Sequence, residues 1–164
     1  MMNAISAPWR MTYIKDKNKS DHCVFCLDKN PACKEYILSK GEKAFVLMNL
    51  YPYTSGHIMV LPYRHIATIE GLDADERTEM FDLVALSVKV LKKALSPDGF
   101  NVGINLGNAA GAGLEDHLHI HIVPRWNGDN NFMSVVGEVR VIPEGIVKTW
   151  EKLKSYFDHA DEEE

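Results

Sequence analysis

Three histidines alternate with apolar residues in one short run, and no other feature limits the fold of this 164-residue chain as strictly. The run, at residues 117–123, is His-Leu-His-Ile-His-Ile-Val. On an α-helix, residues two apart point about 200° away from each other, so His119 would face away from His117 and His121. On a strand, all three imidazoles project from one face, about 6.6 Å apart, and the apolar residues pack the other face. The run therefore predicts a strand with one histidine face.

A row of three imidazoles is difficult to explain by packing alone. Each ring needs hydrogen-bond partners if it is buried, and each can titrate near neutral pH. A wet sheet face without function is one interpretation. Two functional interpretations compete with it, because neutral imidazole is both a metal ligand and a nucleophile toward phosphorus.

Composition limits the partners of the chain. The net charge is -5 and no Lys/Arg-rich run is present, so a nucleic acid is not an expected partner, although a small anion is. No apolar stretch is long enough to span a membrane and the first ten residues lack a signal core, which predicts no membrane partner and a cytoplasmic protein. Three cysteines, Cys23, Cys26 and Cys33, cannot all pair within one chain. In a reducing compartment, a Cys-x-x-Cys pair is more often a metal or redox site than a disulfide.

Hydrophobic periodicity and turn residues predict an α+β fold. The predicted elements are strands 43–49 and 57–61, a helix at 75–95, strands 100–106 and 117–123, and a helix at 144–157. Asp73 and Glu76 have the spacing of a capping box at the start of the first helix, and Pro97 and Gly99 end it. The segment 108–113 is too small and too glycine-rich for regular structure. This order of elements favours an antiparallel sheet covered by helices.

The histidine run and several landmarks before it resemble one known family. The run continues into Pro124-Arg125, and the landmarks are Asn49 before a proline-containing turn, Gly56-His57, Leu-Pro-Tyr-Arg-His-Ile at 61–66 and the glycine-rich loop. On these residues the chain is identified as a member of the histidine triad (HIT) superfamily. The resemblance implies a HIT-like fold with an antiparallel sheet of about five strands. It also implies a single HIT domain over 1–164, with a core at about 21–135, an N-terminal arm at 1–20 and an acidic tail after the C-terminal helix. A homodimer with joined sheets, in which helix 75–95 helps to form the interface, is implied as well.

The resemblance gives the three histidines of the run different roles. It implies that His119 attacks the α-phosphorus of a bound nucleotide and forms a nucleotidyl-histidine, which water or another acceptor then resolves. His121 would hydrogen-bond the phosphate oxygens. His57 would lie near the nucleophile as its partner, and a buried core histidine is the alternative for that position.

Cys23 and Cys26 have the spacing of a zinc knuckle, although a redox pair or two unrelated thiols would look the same. The zinc-bearing branch of the HIT superfamily implies His65 and His117 as the third and fourth ligands. A closed Cys₂His₂ set would hold a structural zinc. No organic cofactor is expected. A zinc caged by the three histidines of the run is the competing hypothesis, so His117 is a candidate for both the catalytic and the metal site.

Several polar and glycine positions are candidates for substrate contacts. By resemblance, Asn49 bonds the ribose hydroxyls, or is a plain turn residue, and Asn105 lies beside the α-phosphate. Gly107 precedes the small-residue loop, whose backbone N–H groups can approach phosphate closely. Gly113 stands where dinucleoside triphosphate hydrolases of the family carry a glutamine or a similar polar residue. Its presence weakens the expectation of hydrolysis.

The residues after the histidine run, at 125–133, and Ala-Pro-Trp-Arg-Met at 7–11 resemble bacterial diadenosine tetraphosphate phosphorylases of this superfamily. There, inorganic phosphate resolves the intermediate. Arg125 is either a phosphate contact or an exposed strand end, and Trp126 is either a substrate contact or a rim or dimer-interface aromatic. We therefore expect cleavage of dinucleoside polyphosphates, with phosphorolysis preferred over hydrolysis. The alternatives are a nucleotide hydrolase acting on adenylylated small molecules and a nucleotide-binding module with little turnover.

Overall fold

Five antiparallel strands form one sheet, and two α-helices pack on one of its faces. The computed structural model describes residues 23–129, 142 and 144–160. In chain order, the elements are β1 (Ile37–Lys40), β2 (Ala44–Met48), β3 (Ile58–Pro62), α1 (Ala74–Leu95), β4 (Gly99–Ile104), β5 (Ile120–Arg125) and α2 (Ile146–Asp158), with short 3-10 helices at Pro31–Tyr36 and Asn108–Ala110. The strand order in the sheet is β1-β2-β3-β5-β4. The predicted α+β class, with an antiparallel sheet of about five strands, is confirmed.

Some sequence predictions lie outside the described residues. They are the N-terminal arm at 1–20, the motif at 7–11, residues 130–133 of the segment that follows the histidine run, and the acidic tail at 161–164. Among the described residues, none of the helices has the length and apolar character that crossing a bilayer requires.

Strands β2 and β3 form the predicted hairpin, and each lies within one residue of its predicted bounds. Ala44 pairs with Pro62 and Met48 pairs with Ile58, and every residue of both strands is buried. At the turn, the backbone N–H of Asn49 donates to the carbonyl oxygen of His57 at 3.1 Å. The hairpin therefore brings two candidate site residues together at one end of the sheet.

Different parts of the chain bury the two faces of the sheet. One face joins the helices in the main core, with members such as Val46, Val60, Ile122, Leu91 and Leu153. The opposite face forms a second cluster of Ile37, Phe45, Leu47, Met59, Leu61 and Cys33, against which residues of the segment 25–36 pack. His121 pairs with Met59 across the β3–β5 ladder, and directly opposed residues share a face. The site therefore lies on the face away from the helices.

Helix α1 begins with the predicted capping box. The carboxylate of Asp73 accepts from the N–H of Glu76 at 2.7 Å, and the carboxylate of Glu76 accepts from the N–H of Asp73 at 2.9 Å. Arg64 donates to both oxygens of Glu76, at 2.9 and 2.6 Å, and this pair lowers the pKa of Glu76 to about 2. Arg64 also donates to the carbonyl of Gly71 at 2.8 Å. The loop that follows β3 is thereby tied to the start of α1.

The predicted strand at 117–123 begins three residues late, at Ile120, so the expectation of a regular strand under all three histidines is wrong. The β3–β5 ladder ends where Val60 pairs with Ile120. Pro62, at the end of β3, has no N–H to extend a ladder. Leu118 instead donates its N–H to the carbonyl of Ile66 at 2.6 Å. The first two histidines of the run therefore lie in an irregular segment fastened to the loop after β3.

Candidate active site and metal centre

The catalytic candidate His119 is held in a defined tautomer by its own chain. Its Nδ1 lies 2.8 Å from the carbonyl oxygen of His117, which can only accept, so Nδ1 carries the proton and Nε2 carries the lone pair. His119 is buried, with 6% of the residue exposed. Burial lowers the pKa of His119, although its bond to the His117 carbonyl opposes that shift. A neutral imidazole with a lone pair on Nε2 is a competent nucleophile toward phosphorus.

His57 and His121 form a hydrogen-bonded pair, and a backbone N–H that donates to His57 determines the tautomers of both rings. The backbone N–H of Tyr53 donates to Nδ1 of His57 at 3.1 Å. Nε2 of His57 therefore carries the proton and donates to Nδ1 of His121 at 3.0 Å. In neutral His121 the proton then resides on Nε2. The family resemblance implied that His57 lies near the nucleophile, with a buried core histidine as the alternative. In the structure His57 is buried and is hydrogen-bonded to the third histidine of the run.

Two aromatic contacts complete this part of the site. The rings of His119 and His121 meet edge to face, with centroids 4.7 Å apart and an interplanar angle of 81°. Tyr53 stacks on His57 at 4.7 Å and 27°. Tyr53 is not recognisable as a site residue from the sequence, because a tyrosine in a turn four residues before a histidine carries no specific signal. Its contacts show that the turn between β2 and β3 orients the histidine pair.

The four predicted metal ligands converge although they come from three separate segments. The donor atoms of Cys23, Cys26, His65 and His117 all lie within 4.8 Å of one another. Nδ1 of His117 is 3.4 Å from Sγ of Cys23 and 3.8 Å from Sγ of Cys26, and Nδ1 of His65 is 3.3 Å from Sγ of Cys26. A tetrahedral ion with ordinary zinc–sulfur and zinc–nitrogen bonds separates its donors by roughly 3.3–3.8 Å. The residues therefore fit a closed four-coordinate metal centre.

Hydrogen bonding and electrostatics at this centre also suit a cation. Nε2 of His117 donates to the carbonyl of Pro62 at 2.9 Å, which leaves the lone pair on Nδ1, the atom that faces the thiols. Burial lowers the pKa of His117 and keeps the ring neutral. Burial, with the neighbouring Cys23, raises the pKa of Cys26 to about 11. A cation held between the two sulfurs would offset this cost and stabilise the thiolate form.

Two asparagines proposed to contact substrate, Asn49 and Asn105, lie at different positions relative to the histidines. Asn49 is buried, accepts from the N–H of Tyr51 at 2.8 Å and places its amide nitrogen 3.3 Å from both ring nitrogens of His57. Gly103 pairs with His121 across the β4–β5 ladder, and Asn105 follows directly after the last residue of β4. Their roles toward ribose and phosphate stay predictions.

The loop after β4 contains Gly107 and Gly113. Gly107 has a φ of 76°, a conformation that favours glycine, and a Cβ placed there would meet no atom within 4 Å. The expected irregular segment at 108–113 contains one short 3-10 helix, Asn108–Ala110. Gly113 is half-buried in the turn that leads to the histidine run. Contact of these glycines with phosphate stays a prediction.

Arg125 lies at the end of β5 and is engaged by neighbouring side chains. Its guanidinium pairs with both carboxylate oxygens of Asp129 and donates to the side-chain oxygen of Asn101 at 2.7 Å. Trp126 follows and is half-buried. Its backbone N–H donates to the carboxylate of Asp129 at 3.3 Å. These bonds fix the turn after β5. A phosphate contact of Arg125 and a substrate contact of Trp126 stay predictions.

Comparison with known proteins agrees with the geometry. The family described as "HIT domain" matches residues 30–128, which include all three histidines of the run. The chain belongs to the HIT-domain family. A protein of Mycobacterium tuberculosis named AP-4-A phosphorylase is 38% identical over 146 residues, covering 84% of this chain and 75% of that protein.

Two further proteins that resemble this chain are informative. A bis(5'-nucleosyl)-tetraphosphatase of Schizosaccharomyces pombe is 36% identical over 91 residues, covering 56% of this chain and 48% of that protein. The crystal structure of a zinc-bound histidine triad family protein from Mycobacterium smegmatis superposes with a TM-score of 0.69 at 25% identity. It covers 87% of this chain and 97% of that one. The fold and the histidine run are therefore those of the family.

Proposed function

We propose that the protein is a nucleotidyl-transferring enzyme that cleaves dinucleoside polyphosphates such as diadenosine tetraphosphate, with inorganic phosphate as the preferred acceptor. One observation carries the chemistry: the bond from Nδ1 of His119 to the His117 carbonyl, which leaves the lone pair on Nε2. The names of the two curated relatives, a phosphorylase and a tetraphosphatase, support the substrate class.

The reaction is a double displacement at the α-phosphorus. Nε2 of His119 attacks phosphorus, the N–P bond forms, and the P–O bond to the rest of the polyphosphate breaks. An imidazole can make this attack without first losing a proton. His121, with its proton on Nε2, donates to a phosphate oxygen and stabilises the charge of the transition state. An oxygen of the acceptor then attacks the nucleotidyl-histidine and displaces His119.

The acceptor is the finer part of the proposal. Phosphorolysis is supported by the phosphorylase name of a relative that aligns with 84% of this chain, and by Gly113, which has no side chain to orient a water molecule. Hydrolysis is the second candidate, supported by the relative named as a tetraphosphatase. If the protein is a nucleotide hydrolase, its substrates include other adenylylated small molecules. A binding module with little turnover is the alternative from another class.

Product identity in the presence and absence of phosphate tests this proposal. Diadenosine tetraphosphate is incubated with the purified protein, with and without inorganic phosphate, and the nucleotides are separated by ion-exchange chromatography. We expect ADP and ATP only when phosphate is present. AMP and ATP formed without phosphate would identify a hydrolase and overturn the choice of acceptor. If no adenylylated substrate gave a product, the proposed enzyme activity would be wrong and the nucleotide-binding module would be the better explanation.

We also propose that the metal of the Cys23, Cys26, His65 and His117 centre is zinc and that its role is structural. Two thiol sulfurs and two imidazole nitrogens that converge within 4.8 Å of one another are a donor set that zinc prefers. All four positions belong to protein side chains, so none is open for substrate. When bound, the ion would fasten the N-terminal segment to the loop after β3 and to the start of the histidine run.

Two further proposals concern the assembly and the location of the protein. The homodimer implied by the family is supported by β4, which in the described part of the chain pairs only with β5 and leaves its other edge exposed. Val102 on this strand is 46% exposed. A cytoplasmic location is supported by Cys23, Cys26 and Cys33, which form no disulfide with one another, as expected in a reducing compartment.

A further inference from the structure

Phe25 lies between the two cysteines of the metal centre, and its ring reaches the nucleophile. The ring centroid is 5.3 Å from that of His119, with the planes inclined at 59°. It is also 5.8 Å from the ring of His117, in an edge-to-face arrangement at 88°. One apolar side chain of the Cys-x-x-Cys segment therefore touches both a metal-ligand histidine and the histidine that attacks phosphorus.

The backbone around Phe25 is fixed by a set of local bonds. The N–H of Cys26 donates to the carbonyl of Cys23 at 3.3 Å, and the side chain of Asn30 donates to the carbonyl of Val24 at 2.7 Å. The N–H of Asn30 also donates to the carbonyl of Cys26 at 2.8 Å. The direction of the Phe25 side chain is thus set by the same short turn that presents the two thiols.

His119 depends on neighbours for its orientation, because its Nδ1 bond fixes a tautomer but is one contact on one ring edge. Ring contacts with Phe25 and with His121 supply the remaining restraints. His117 is a second connection, since its side chain faces the thiols while its backbone carbonyl holds His119. Displacement of a reacting group by about 1 Å can lower a rate about 100-fold.

We propose that Phe25 is a positioning residue, which transmits the order of the metal centre to the ring of His119 and holds that ring in its attacking orientation. This inference deepens the proposed function and rests on it for its kinetic part. Phe25 acts through His119. Its loss therefore lowers kcat, while the affinity for substrate and for metal is retained.

The test compares Phe25→Ala with Leu27→Ala as a matched control. Leu27 is an apolar residue of the same segment that packs against the second cluster, as Phe25 also does, but it has no aromatic ring to stack on the histidines. For Phe25→Ala we expect kcat with diadenosine tetraphosphate and phosphate to fall at least about tenfold, with KM within about threefold. Phe25→Leu, which keeps an apolar side chain against the ring, should recover most of kcat. Leu27→Ala should retain the kinetics of the parent protein.

Nitrogen NMR of ¹⁵N-histidine-labelled protein separates failure of this inference from failure of the proposed function. The Nδ1 and Nε2 shifts report the tautomer of His119 without any turnover. Without the Phe25 ring, the imidazole of His119 can rotate away from the His117 carbonyl and lose the bond that fixes its tautomer. We therefore expect a single Nδ1–H tautomer in the parent and in Leu27→Ala, and a mixture in Phe25→Ala at unchanged zinc content. A raised KM with normal kcat would overturn the inference, because Phe25 would then contact substrate. An unchanged tautomer and unchanged kinetics in Phe25→Ala would overturn it as well.

Discussion

The chemistry of a histidine depends on which ring nitrogen carries the proton, and the bonding partner decides that. His117 donates from Nε2 to Pro62 and keeps Nδ1 for the metal centre, whereas His119 donates from Nδ1 to His117 and keeps Nε2 for attack. His121 receives a bond on Nδ1 from His57 and keeps its proton on Nε2. The three histidines of the run therefore differ in which ring nitrogen is available, and this difference suits the three proposed roles of ligand, nucleophile and donor.

Replacement of the nucleophile gives the first prediction at the residue scale. His119→Ala removes the atom that forms the covalent bond to phosphorus, so we expect turnover of diadenosine tetraphosphate to fall at least about 10³-fold. AMP should still bind, with a Kd by isothermal titration calorimetry within about threefold of the parent. His159→Ala is the control, because His159 is exposed at the end of α2, bonded to the carbonyl of Ser155. Near-normal activity of His119→Ala would contradict the mechanism.

At the scale of elements, the sequence predicted those boundaries that neighbouring side chains determine. The capping box at Asp73 and Glu76 and the stop before Pro97 define α1 almost to the residue, because side chains close to the helix ends decide both. Strand β1 was not predicted. It has four residues, and its pairing with β2 shifts register between Ile37 and Ser39, so it has no regular alternation to detect.

The candidate site was predicted in composition but not in arrangement. Spacing identified the thiols and the histidine run, and family resemblance implied His65 and His117 as ligands. The late start of β5 coincides with a hydrogen bond from Leu118 to Ile66, residues far apart in the chain, which no local sequence pattern reports. The contact of Phe25 with His119 is equally long-range, and a phenylalanine between two cysteines gives no sign of it.

The proposed zinc would hold the N-terminal segment that packs on the second face of the sheet. We expect one zinc per chain by mass spectrometry of the metal content, and its loss in the double variant Cys23→Ser, Cys26→Ser. Because the ion binds the folded state, its removal should lower the melting temperature by about 10 °C in calorimetry.

Cys33→Ala is the matched control for this prediction. Cys33 is also a buried thiol, but it lies in the second cluster and is not one of the four converging ligands. This variant should keep its zinc. Zinc retained after loss of Cys23 and Cys26, with activity that follows the metal, would contradict the structural site and favour a metal held by the histidine run.

At the scale of the whole molecule, the sheet divides the protein into two halves with different tasks. The helices bury one face and supply most of the apolar core. The other face carries the histidines and the segment 23–36, which contains Cys23 and Cys26. The same strands serve both halves, since alternate residues of β3 and β5 point to opposite faces. Packing of the core therefore sets the spacing of the reacting groups. The division also leaves β4 at the edge of the sheet, where a second copy can add.

The homodimer gives the prediction at this scale. Val102 on β4 is 46% exposed and Phe81 on α1 is 60% exposed, and continuing the sheet across β4 would pair its outer backbone groups and bury both kinds of surface. We expect light scattering to give twice the 18.5 kDa of one chain. Val102→Asp would place an unpaired charge in that interface and should give the mass of a single chain. Val147→Asp, which changes an exposed valine on α2, should leave the mass unchanged. A single-chain mass for the parent protein at micromolar concentration would contradict the dimer.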